Sequence, residues 1–260
     1  MVMKFSKAAL VVSFALVVIN GVYLFIDPVP QWPSYHCFAD DRSWLGISNA
    51  QNVLSNLGLF IVGAWGCLFV VSRRGRVVAG RVWLQYTVFF LGVFLTAFGS
   101  AWYHYAPDNH TLVWDRLPMT VMFMGFLTVF VGELMDHKAA DTLLLPLLLT
   151  GFASVILWIQ SEMAGAGDLR FYALVQFLPL VLALLMLLLY PKPPHLVAAF
   201  IGLLVFFVLA KVFEHYDQEV FVLTNNVIGG HAIKHFCAAI APGFLVWMLY
   251  RRGRALAVLT

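Results

Sequence analysis

Of the 260 residues, 62% are apolar and only 11% are charged, against roughly 45–50% and 25% in soluble domains. The formal net charge is +3 and the mean hydropathy is +0.88. These values exclude an ordinary soluble domain, and so small and scattered a basic excess argues against nucleic acid as a partner.

A bilayer span needs about 20 mostly apolar residues. Eight stretches qualify: 8–26, 51–72, 83–104, 116–134, 142–160, 171–190, 195–213 and 231–250. Their runs are continuously apolar, as at Leu143–Leu145 and Leu187–Leu189, rather than alternating. Each is therefore expected to be a helix that satisfies its own backbone in hydrocarbon.

The first stretch follows Lys4 and Lys7, as a signal peptide would. No Ala-x-Ala cleavage pattern comes after it, so it reads as a retained anchor. The next residues, 27–50, carry Pro28, Pro30 and Pro33 and form the only candidate boundary. The expected architecture is an all-α integral membrane protein, a seven-transmembrane-helix core with an additional N-terminal transmembrane helix. Residues 1–44 form the anchor helix and external segment, and residues 45–260 the membrane domain. Cys67 and Cys237 fall within spans, which leaves Cys37 without a loop partner and makes an internal disulfide framework unlikely.

Lys4, Lys7, Arg73, Arg74, Arg76, Arg81, Lys138, Lys192, Arg251, Arg252 and Arg254, 11 of the 16 basic residues, fall on one side of this arrangement. The positive-inside rule puts that side, with both termini, in the cytoplasm. The connections 27–50, 105–115, 161–170 and 214–230 then face outward.

Ionisable residues within spans are costly and usually mark function. Span three ends in Ser100 and His104, span four opens around Asp115, and span eight opens with His231 and His235. All five are expected at the external helix ends, although they come from remote parts of the chain. His231 and His235, four apart, share one helical face about 6 Å apart along the axis. Two such imidazoles can grip one metal, and a third leaves one position of a tetrahedral zinc open for water or substrate. Asp115 could hold or deprotonate that water, and Ser100 could hydrogen-bond a developing oxyanion.

Each residue also has a plainer reading. Asp115 could cap its helix, with Pro118 in the first turn. Ser100 could be a small packing residue beside Gly99, and His104 a satisfied core histidine. Lys211, Glu214, His215, Asp217 and Glu219 read as an interfacial salt-bridged rim or as groups orienting the ligands. Lys234 is a candidate partner for Glu214. His36, His110, His137 and His195 carry no assigned role.

The pattern of Ser100 with His104, Asp115, and His231 with His235 resembles the alkaline ceramidases. These belong to a wider superfamily of seven-helix membrane hydrolases that includes the adiponectin receptors. Ser55-Asn56 and the run Trp114 to Thr120 look like the family too, and the match covers roughly residues 45–250. The resemblance implies zinc held by His104, His231 and His235, Asp115 contacting the zinc-bound water, and Ser100 stabilising the oxyanion. It implies hydrolysis of the amide of ceramide or a related acyl-amide membrane lipid to a fatty acid and a long-chain base. Eukaryotic members carry an acidic calcium site before the first core helix. Here Asn49 stands where they have a glutamate, and the spacing of Asp40, Asp41 and Trp44 differs, which puts calcium in doubt. The extra first helix and the short loops suit a bacterial-type member of the inner, cytoplasmic membrane.

Other classes stay open on the sequence alone. A zinc lipid esterase or phospholipase would share the same site. A transporter relay would thread the bilayer rather than gather at one end. A haem protein with axial histidines would not need the in-register pair with Asp and Ser. A receptor role rests on fold analogy.

Overall fold

A continuously apolar segment in hydrocarbon must satisfy its backbone internally, and these segments do so as helices. The computed structural model describes residues 6–258, without the side chains of Arg73, Arg74 and Val258. Lys4, one of the charges used for orientation, lies outside the described residues. The helices are α1 (Lys7–Phe25), α2 (Ala50–Leu54), α3 (Leu57–Val71), α4 (Arg73–Ala79), α5 (Trp83–Tyr105), α6 (Asn109–Leu134), α7 (His137–Met163), α8 (Arg170–Leu189), α9 (Pro194–His215), α10 (Asp217–Leu223) and α11 (Gly230–Val258). Among the described residues, eight stretches are long and apolar enough to cross a membrane; α2 with α3, and α4 with α5, each supply one. The chain is an all-α integral membrane protein.

The α6 boundary differs from the expected span, and the cause is local. Thr111 N donates to Asp108 Oδ1 at 2.6 Å, and Asp108 N donates back to Thr111 Oγ1 at 3.0 Å. This reciprocal cap starts the helix at Asn109. Asp115 therefore sits in the second turn, about 9 Å along the axis from Asn109. The plainer alternative for Asp115, a helix cap, is overturned: Asp108 holds that position. Pro118 lies inside α6, so it has no N–H to offer the Trp114 carbonyl. Gly99 of α5 packs directly against that carbonyl, where a Cβ would overlap it. The two helices thus meet backbone to backbone one residue from Ser100 and one from Asp115.

Helix α5 packs on α3 and α6, α6 on α7 and α8, and α11 on α9 and α3. The core they enclose includes Tyr86, Phe90, Val93, Phe130, Leu245 and Leu249, all fully buried. At the end away from His104, Glu133 of α6 accepts from Arg252 of α11 at 2.8 and 2.9 Å and from the Tyr86 hydroxyl at 2.8 Å. Helix α1 stands apart: it lies along α8 and buries only Val11.

Residues 27–49 do not hang free. Leu169 N donates to Val29 O at 2.8 Å, Gln31 N to Glu162 Oε1 at 2.6 Å, and Ala39 N to Asp217 Oδ2 at 2.9 Å. These bonds draw the segment across one mouth of the bundle. Asp217 opens α10, a short helix within a stretch expected to be a connection.

Candidate metal centre

His104 closes α5, while His231 and His235 occupy the first two turns of α11. The fold brings all three together, and all are buried. One ligand nitrogen from each lies within 4.8 Å of the others, so the group could hold a metal ion. Nε2 of His104 and Nε2 of His235 are 3.1 Å apart. Two nitrogens each bonded to a tetrahedral zinc at 2.0–2.1 Å would stand about 3.3 Å apart. The spacing fits zinc without identifying it, since imidazole also suits copper, nickel and iron.

The surrounding hydrogen bonds set which ring nitrogens are unprotonated. Ser55 Oγ donates to Asn52 O at 3.0 Å and stands 2.7 Å from His235 Nδ1. Its proton is already committed, so it accepts from Nδ1–H and leaves Nε2 of His235 unprotonated. Lys234 Nζ is 3.2 Å from His231 Nε2. An ammonium only donates, so His231 Nε2 is unprotonated as well, with its lone pair accepting from Lys234. Asn49 Nδ2 donates to His104 O at 2.8 Å, satisfying a carbonyl that the end of α5 leaves without a helical partner. Asp217 Oδ1 accepts His231 N at 2.8 Å, anchoring the start of α11.

Ser100 and Asp115 line one cavity with His235. Ser100 thus borders this cavity, while its neighbour Gly99 makes the close contact with α6. The cavity is about 300 Å³ and reaches α8 and α9, with Leu59, Phe123, Leu180 and Phe207 among its apolar walls. Phe177 of α8 and Phe207 of α9 meet edge to face at 6.0 Å.

The acidic cluster after α9 divides. Glu214 is no rim residue: it lies in the cavity wall, 2.6 Å from Lys234 Nζ and also paired with Lys211. Asp217 ties α11 to Ala39. His215 packs on Tyr216.

Three contributors have a part in the site that the sequence did not assign them. Phe38 places its ring 4.7 Å from those of both His104 and His231, roofing the histidines. His36 bonds the Tyr103 hydroxyl and Asn109 Oδ1, each at 3.0 Å. Asn49 fixes the end of α5. The close spacing of Asn49, Asn52 and Asn56 along a short helical stretch was a usable signal, because polar amides there need partners. Phe38 and His36 carry no local signal. Asp40, considered above for calcium, receives Arg42 at 2.8 Å on Oδ1 and 2.7 Å on Oδ2. No protein-family model matches the chain, and no curated protein matches it.

Proposed function

We propose that this chain is a zinc-dependent intramembrane hydrolase that cleaves the amide of ceramide or a related acyl-amide lipid. One observation carries the reading: three buried histidines, spaced to share a metal, stand at a largely apolar cavity that His235 lines together with Asp115 and Ser100. Zinc bound there would acidify water and polarise the acyl carbonyl.

The protein's own groups supply the rest. Asp115 is within the cavity; its carboxylate takes a proton from the attacking water and returns it to the leaving amine. The Ser100 hydroxyl donates to the oxygen that gains charge. Ser55 and Asn49 hold two ligand histidines in place. Apolar walls exclude bulk water and accept a hydrocarbon chain, which enters from the bilayer between α8 and α9 past Phe177 and Phe207. In this reading the site lies near the external face of a bacterial cytoplasmic membrane, with both termini inside.

The test is product detection by mass spectrometry. Protein in detergent is given ceramides of several chain lengths and, separately, diacyl ester lipids. Fatty acid and long-chain base released from a ceramide support the proposal. Release from ester lipids alone would make it a lipid esterase, and release from neither would remove the hydrolase reading.

A further inference from the structure

Arg116 follows Asp115 on α6 and is 6% exposed, yet among the described residues it enters no ion pair. Its guanidinium lies 4.0 Å from the Trp158 ring centroid, 4.6 Å from Tyr172 and 5.9 Å from Tyr35. Nη2 donates to Gln31 Oε1 at 2.6 Å. Nη1 is buried with no hydrogen-bond partner. Aromatic faces stabilise a cation, but they do not replace an acceptor for a buried N–H, and a buried charge without a contacting counter-ion is costly. Two half-buried cations contrast with it: Lys234 has Glu214 at 2.6 Å, and Arg252 has Glu133 at 2.8 Å.

Arg116 also stands where two cavities meet. Besides the histidine cavity, it lines a second space of about 510 Å³ between α1 and α8. Val18 and Val22 of α1 face Leu178 and Val181 of α8 across that space, and Val29 to Trp32 close one end. Arg170 at the same end is already neutralised by Asp168 at 2.7 Å. The crevice therefore has hydrocarbon-like walls and, at its head, a guanidinium that no carboxylate among the described residues contacts.

We propose that this crevice binds a long-chain fatty acid, its carboxylate on Arg116 and its chain between α1 and α8. A carboxylate would give this guanidinium the direct ion pair it lacks. Its planar group would supply the acceptor that the buried Nη1 is missing, whereas the substituents of a phosphodiester headgroup would meet the occupied Nη2 and the aromatic walls. The site gives α1, which buries almost nothing of itself, a reason to lie along α8. It is separate from the histidines and does not depend on any metal being bound there.

The full chain, purified in neutral detergent and stripped of metal with chelator so that no carboxylate can bind through zinc, is titrated with palmitate, hexadecanol and hexadecyl phosphate. Wild type is expected to bind palmitate about tenfold or more tightly than hexadecanol, the gap a charged hydrogen bond supplies. Arg116→Met should erase that gap and Arg116→Lys should restore part of it. Leu178→Trp, which fills the crevice and spares the charge, should weaken palmitate and hexadecanol together. Equal binding of palmitate and hexadecanol by wild type overturns the site, whether or not Arg116→Met folds. Tighter binding of hexadecyl phosphate than palmitate, or full palmitate affinity in Leu178→Trp, overturns it as well.

Discussion

Ser55 Oγ and His235 Nδ1 lie 2.7 Å apart across 180 residues of sequence. Because the Ser55 proton already goes to Asn52 O, this contact sets the tautomer of His235 and aims Nε2 at the other histidines. Removing such an outer partner typically costs 10–100-fold in metal affinity. Ser55→Ala is expected to insert and fold normally but to release zinc to a competing chelator at about 10–100-fold lower chelator concentration. Unchanged zinc affinity would reduce Ser55 to a packing residue.

Asp115 offers a complementary case, since it lines the cavity without joining the histidine group. Asp115→Asn should keep its zinc and lose activity on lipid by about 100-fold or more, the range expected when a positioned acid–base group is removed. Near-normal turnover with full metal would take the carboxylate out of the chemistry.

Cys37 is exposed, whereas Cys237 is buried. It follows Pro33–His36, the turn that brings His36 onto Tyr103 near the histidines. With the site at the external face, a membrane-impermeant maleimide should label Cys37 in intact spheroplasts as fully as in lysed ones. Labelling only after lysis would invert the proposed orientation.

The tether that roofs the histidines has its own pH signature. The Arg42 guanidinium, bonded to both Asp40 oxygens, holds that carboxyl below its ordinary value of 3.8. A carboxyl lowered on folding contributes stability above its unfolded value and loses it as pH falls through the folded one. Docking of residues 37–42 should therefore be constant from neutral pH down to about 5 and weaken below about 4. Hydrogen exchange of these amides against pH reads this directly. Asp40→Asn should exchange faster at neutral pH and show no acid step; a wild-type profile in that variant would mean the pair does not hold the segment.

Much of this arrangement was legible in the sequence, and the rest was not for physical reasons. Hydropathy located the spans because hydrocarbon leaves the backbone few alternatives. The i, i+4 spacing of His231 and His235 gave their shared face because helical geometry is local. The start of α6 was misplaced although its signal, Asp108 three residues before Thr111, stood in plain view; the apolar run alone could not reveal a polar first turn. Phe38 over His104 and His36 on Tyr103 were invisible, because they depend on how a 23-residue connection, 27–49, folds back over the bundle. The surroundings of Arg116 were equally hidden: a sequence shows a charge but not the rings and the Gln31 amide packed around it.

Zinc content of the purified protein bears hardest on the site. Protein isolated without chelators is analysed by inductively coupled plasma mass spectrometry, as wild type and as the double variant His231→Ala with His235→Ala. About one zinc per chain is expected in wild type, and close to none in a variant that still inserts and remains monodisperse in detergent. No bound metal in wild type, or a full equivalent retained without the two histidines, would contradict the metal centre and with it the proposed hydrolysis.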